Sequence, residues 1–92
     1  MATVDVTPTA HTQFEALPRG IRLRVARLLD RLERWPHVSG AKALSGNLAG
    51  RRRMRTGDYR VQFVPERDDT AQGGWRVTVE KIGHRDGFYD DD

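Results

Sequence analysis

A glycine–aspartate pair, Gly57-Asp58, stands between two runs of extended character, 51–56 and 59–64. Two such runs joined by two residues, the first a glycine free to take positive φ, make a tight antiparallel hairpin. A two-residue turn also sets the register. Thr56 pairs with Tyr59, Arg55 with Arg60, Met54 with Val61, Arg53 with Gln62 and Arg52 with Phe63. Paired residues share a face, and successive residues alternate between faces. One face therefore collects Arg51, Arg53, Arg55, Arg60 and Gln62. The other collects Met54, Tyr59, Val61 and Phe63, with Arg52 at its margin. The apolar face must be covered, and the second face is left as a concentrated positive surface. Arg55 opposite Arg60 is a like-charged pair, of a kind that costs a sheet about 0.2–1 kcal/mol. A fold tolerates this when the surface receives an anion, so polyanion binding is the reading taken over a merely solvated strand face.

The cover comes from upstream. Ile21, Val25, Leu28, Leu29 and Leu32 form an apolar stripe at helical spacing, with Arg22, Arg24, Arg27, Arg31 and Arg34 largely off it. Pro18 suits the first position of this helix, and Pro36 ends it near Trp35. Ala10, Phe14 and Leu17 mark one face of a shorter helix, for which Thr7-Pro8-Thr9 supplies cap candidates. The short link between the two makes an αα-hairpin. Val4 and Val6 alternate with polar residues as a first strand, and Trp75, Val77 and Val79 do so in a last one, running to Ile82. Residues 36–50 read as a loop with one turn of structure around Ala41 to Leu44, and Pro65 to Gly74 as a polar loop. The predicted order is β-α-α-β-β-β, an α+β fold whose small antiparallel sheet packs on an N-terminal αα-hairpin.

Composition narrows the function classes. At 92 residues the chain is one domain, 1–92, burying about 60–65 % of its unfolded surface. Seven aromatics and regular apolar spacing exclude disorder despite 32 % charged residues. The absence of cysteine excludes disulfide scaffolds, thiolate zinc sites and cysteine nucleophiles. No apolar run approaches the ~18 residues of a membrane span and no signal-peptide pattern opens the chain, so a cytoplasmic protein without membrane association is expected. Lysine and arginine together number 16 against 13 acids, a net +3, and only Lys42 and Lys81 are lysines. Asp86, Asp90, Asp91 and Asp92 crowd the C-terminus, so the body is more basic than the whole, and 90–92 read as a flexible acidic tail. Arginine grips phosphate or carboxylate with a planar fork.

Past the last strand, Ile82-Gly83-His84-Arg85-Asp86-Gly87-Phe88-Tyr89 brings together imidazole, guanidinium and phenol, the groups that proton transfer to a phosphoester requires. At this point several stretches fall into a known order. Leu17-Pro18, the leucine-rich helix, Gly40-Ala41-Lys42-Ala43-Leu44-Ser45-Gly46, Arg53-Met54-Arg55-Thr56-Gly57-Asp58-Tyr59-Arg60-Val61, and Ile82-Gly83-His84-Arg85 with Tyr89 resemble the RelE/ParE superfamily of toxins from type II toxin–antitoxin pairs. The resemblance covers roughly residues 3–89.

The resemblance implies a RelE-like, microbial-RNase-type fold. On the RelE side it implies a ribosome-dependent, metal-free endoribonuclease needing no cofactor, which cuts messenger RNA in the ribosomal A site and inhibits translation. The ribose 2′-hydroxyl attacks the adjacent phosphate and leaves a 2′,3′-cyclic phosphate and a 5′-hydroxyl. Arg60 and Arg85 would then stabilise phosphate charge and help protonate the leaving oxygen. Arg51, Arg53 and Arg55 would hold RNA, Tyr89 would activate the 2′-hydroxyl or orient the base, and His84, which precedes Arg85 in the motif, is a further catalytic candidate. Implied partners are a cognate antitoxin with an acidic C-terminal segment, messenger RNA and the ribosome, with operator DNA reached only through the antitoxin. The alternatives are a ParE-type inhibitor of DNA gyrase and a non-catalytic module binding nucleic acid or an acidic partner. Arginine stands where relatives carry lysine on the basic strand, which keeps charge but removes a proton acceptor.

Overall fold

The computed structural model describes residues 1–88; Tyr89 and the 90–92 tail lie outside the described residues. The elements are β1 (Thr3–Val6), α1 (Pro8–Glu15), α2 (Arg19–Leu32), β2 (Lys42–Ala43), β3 (Arg52–Thr56), β4 (Tyr59–Arg67) and β5 (Trp75–His84), with short 3-10 turns at Gly46–Leu48 and Gln72–Gly74. They build a five-stranded sheet in the order β1-β5-β4-β3-β2. Strands β2 to β5 run antiparallel to their neighbours, and β1 joins β5 in parallel. The sheet is thus mixed: the helical hairpin carries the chain from one sheet edge to the other, leaving β1 to lie beside the last strand. No described helix is long and apolar enough to cross a membrane.

The hairpin register is the one the turn dictates: Arg52↔Phe63, Arg53↔Gln62, Met54↔Val61, Arg55↔Arg60 and Thr56↔Tyr59. Gly57 holds φ at 59°, the left-handed value a two-residue turn requires of its first residue. Thr7 caps α1 by accepting the Ala10 N–H at 3.1 Å. Pro18 is the residue just before α2 rather than its first, and α2 ends at Leu32, with hydrogen-bonded turns continuing to His37.

The core is one cluster. Val25, Leu28 and Leu32 of α2 meet Met54, Val61, Phe63, Val77, Val79 and Ile82 of the sheet, with Ile21 and Leu29 partly buried against it. Arg52, at the margin of this face, lies over the Trp35 ring at 5.6 Å.

Three segments depart from the sequence reading. Lys42–Ala43 is an edge strand on β3 rather than a turn, paired Lys42↔Arg53 and Ala43↔Arg52. Strand β4 runs to Arg67, so the loop after it is shorter than 65–74. Beyond Phe63, β3 no longer flanks β4, and on an edge strand Pro65 is tolerated. The third is a register shift between β4 and β5 at Gln62/Phe63. Val79 pairs with Phe63 and Ile82 with Val61, so the extra residue in β5 switches which side chains face the core.

At the far end of the sheet from the 57–58 turn, Arg76 bridges Asp5 and Asp68, the latter at 3.1 Å. Asp68 accepts from the Thr70 hydroxyl at 2.6 Å and from its N–H at 3.0 Å. The Thr70 hydroxyl first, then Arg76, hold the Asp68 carboxyl at about 2, below its ordinary 3.8. A carboxylate depressed in the folded state contributes stability above its unfolded pKa and loses it as pH falls through the folded one. The Asp68→Asn protein should therefore melt lower than the parent at neutral pH. The gap should narrow from about pH 4 and close only below about pH 2; a gap constant across a pH series of melting curves would show that Asp68 acts by packing alone.

Candidate functional site

The polar face of the hairpin is not uniformly open. At its base Arg51 gives Nε–H to Glu80 at 2.8 Å, and Gln62, 4 % exposed, donates to the same carboxylate oxygen at 3.4 Å. Glu80 sits at the β5 register shift, which helps present it to this face. The Arg51 charge is therefore engaged within the protein. Further along, Phe88 is buried outside the main core cluster. It lies beneath the Lys81 ammonium at 4.7 Å, and a Cβ on Gly83 would meet its ring at 3.4 Å. The missing side chain at Gly83 gives Phe88 its seat and brings the segment after β5 back onto the sheet.

The outer part of the face is open and basic. Arg53 and Arg55 line a hollow of about 400 Å3 together with Gly40 and Lys42. Lys42 lies directly opposite Arg53 across the strands. It was missed as a site residue because its stretch, Gly40-Ala41-Lys42-Ala43-Leu44, carries no period-two alternation and read as a loop.

The 57–58 turn gathers two more guanidinium groups. Arg60 donates from Nη1 to the Gly57 carbonyl at 3.2 Å and to its neighbour Tyr59 at 3.4 Å. The Arg85 N–H donates to the Asp58 carbonyl at 2.7 Å, which ties the chain after β5 to the same turn. The Arg85 side chain is 59 % exposed, with Nε 3.8 Å from carboxylate oxygens of both Asp58 and Asp86. One arginine from β4 and one from the segment just after β5 thus meet at a single turn.

His84 is not brought into that group. It pairs with Tyr59 and meets its ring edge-on at 5.2 Å, whereas Arg60 pairs with Gly83, so His84 and Arg60 occupy opposite faces. Its Nδ1 accepts the Asp86 N–H at 3.0 Å, an arrangement that shapes the chain between Arg85 and Phe88. Tyr89, proposed to handle a proton, lies outside the described residues.

Fold and site together describe a small α+β protein with a cationic hairpin and paired arginines at its turn. No family model matches the sequence, and no curated protein matches it. Solved structures do. A chain of the RelBE2 toxin–antitoxin complex from Mycobacterium tuberculosis superposes with a TM-score of 0.75 at 28 % identity, over 91 % of this chain and 98 % of that one. The YoeB/ParE toxin from Agrobacterium tumefaciens does so at 0.72 and 17 % identity, over 89 % of this chain and 96 % of that one. The isolated E. coli RelE toxin gives 0.69 and 17 %, over 91 % and 84 %. The latter two share the fold. Together with the motifs, the likeness to the RelBE2 complex supports assignment to the RelE/ParE superfamily, the toxins of type II toxin–antitoxin systems.

Proposed function

We propose that this toxin is a ribosome-dependent messenger-RNA endoribonuclease. The convergence of Arg60 and Arg85 on the 57–58 turn, beside the hollow of Lys42, Arg53 and Arg55, carries the reading. RNA laid along the hollow places a scissile phosphate near the turn. The 2′-oxygen bonds to phosphorus as the phosphorus–5′-oxygen bond breaks; the 2′ proton leaves to a base and the 5′ oxygen takes a proton from solvent water. Arg60 and Arg85 offset the charge on the phosphate and on the departing oxygen. Arginine does not give up its proton, so the base is another group, and Tyr89 is assigned that role. His84 acts as a positioning residue through its bond to the 86 N–H. The partner implied by the toxin–antitoxin neighbours is an antitoxin, its acidic segment matched to this basic body and acting in the cytoplasm.

The test is to induce the protein, map 5′ ends of cellular messages and compare plasmid supercoiling. Cuts within codons support the reading. Altered supercoiling without cuts indicates a ParE-type action on gyrase, and neither result leaves a non-catalytic binding module.

Binding to RNA should be strongly salt-dependent. Each arginine neutralising a phosphate on a single strand contributes about −0.7 to the log–log slope of affinity against salt. Arg53→Ala should make the slope shallower by about that amount. Affinity indifferent to salt would remove the electrostatic basis of the site.

A further inference from the structure

The basic surface does not stop at the sheet. Arg24, Arg27 and Arg31 follow one another at three- and four-residue spacing, which sets them along one side of α2. With Arg55 and Thr56 they line a groove of about 270 Å3 floored by Leu28. None of the ion pairs among the described residues involves Arg24, Arg27, Arg31 or Arg55. Arg31 donates to the Ser39 carbonyl at 3.0 Å, which steadies its guanidinium in place. Four cations converge here without a carboxylate to separate them, and their mutual repulsion falls when an anion occupies the groove.

The groove is continuous with the site. Arg55 lines both this groove and the hollow of Lys42 and Arg53. Strand β2 covers β3 only at Arg52 and Arg53, so the cationic surface turns around the open edge of β3 at Arg55. At its other end, Arg24 Nη1 would lie 3.6 Å from a Cβ on Gly57, at the turn bracketed by Arg60 and Arg85.

We propose that the groove between α2 and β3 is a second phosphate track, holding the sugar–phosphate backbone of a structured RNA outside the segment that is cut. The proposal rests on the ribonuclease reading for the identity of its polymer. The chemistry favours RNA over an acidic protein. Protein interface cores combine arginine with aromatic side chains and methionine, and beside its arginines this groove offers no aromatic or exposed apolar side chain, since Leu28 is 3 % exposed. A separate hollow between α1 and α2, with Phe14, Leu23 and Ala26, has that apolar character instead. Guanidinium forks facing outward without carboxylates suit phosphate oxygens.

Fluorescence anisotropy of a labelled RNA hairpin over a salt series, with the full chain, tests this. Arg27→Ala/Arg31→Ala should lower the magnitude of the log–log slope by about 1.4–1.8, from 0.7–0.9 per lost phosphate contact. Arg34→Ala/Arg67→Ala removes the same charge at the opposite end of the sheet and should leave the slope nearly unchanged. A slope unaffected by the first pair, or lowered equally by both pairs, overturns the track. So does a loss of poly-glutamate binding with RNA binding intact, which would make the groove a protein site. If message mapping shows no cleavage while the hairpin slope still falls selectively, the ribonuclease reading fails and the track stands.

Discussion

Arg60→Ala and Arg85→Ala proteins should fold, bind antitoxin and lose growth arrest, with message cleavage slowed about a hundred- to a thousandfold. That factor is what removing one preorganised donor aimed at a developing oxyanion costs, about 3–4 kcal/mol. The structural alternatives are too weak to imitate it. Among the described residues Arg60 holds only carbonyls at its own turn, at 3.2 and 3.4 Å. Arg85 reaches Asp58 and Asp86 at 3.8 Å from an exposed position, and exposed ion pairs contribute about 0–1 kcal/mol. Melting temperatures of both variants should therefore stay near that of the parent. Arg85→Lys separates charge from shape, because it keeps the cation and loses the fork; intermediate activity is expected. Growth arrest by either alanine variant equal to the parent's, at matched expression and without antitoxin, would take that arginine out of the chemistry.

The parts of this molecule legible in the sequence are those set by short-range rules. Gly57-Asp58 dictated every pair from Arg52↔Phe63 to Thr56↔Tyr59, because a two-residue turn leaves one register. The stripe from Ile21 to Leu32 identified the helix that covers the sheet because helical period and burial coincide there. What escaped depends on partners distant in sequence. The parallel pairing of β1 with β5 has no local signature. The extension of β4 through Pro65 depends on where β3 ends. The register shift did leave a trace: apolar residues in β5 fall at Val77, Val79 and Ile82, and the step from two to three is what one inserted residue produces. The same distinction governs the site. Alternation located the arginine face, but not the Glu80 that engages Arg51, nor the opposite orientation of His84 and Arg60. Nor did the helical spacing of Arg24, Arg27 and Arg31 reveal a shared groove until the fold set them beside Arg55.

Leu28→Ala should destabilise the protein by about 2–5 kcal/mol, the range for emptying a buried leucine site. Leu28 is 3 % exposed, on the side of α2 that packs against β3, in a cluster with Val25, Leu32, Met54, Val61 and Phe63. Sheet side chains below it are fixed by strand pairing, so collapse into the vacated space is limited and the cavity term adds to the lost transfer energy. In a domain of this size each kcal/mol moves the melting temperature by about 4–8 °C, so the loss is a large share of a marginal stability. Leu23, on the same helix, is 57 % exposed and serves as the internal comparison. Leu23→Ala removes the same atoms from a site already in water and should change stability by no more than about 0.5 kcal/mol. Equal melting temperatures for the two variants would mean that α2 does not cover the sheet through this stripe. A large difference, with Leu28→Ala the lower, means that the helix carrying the arginine groove is held in place by the same residues that close the core.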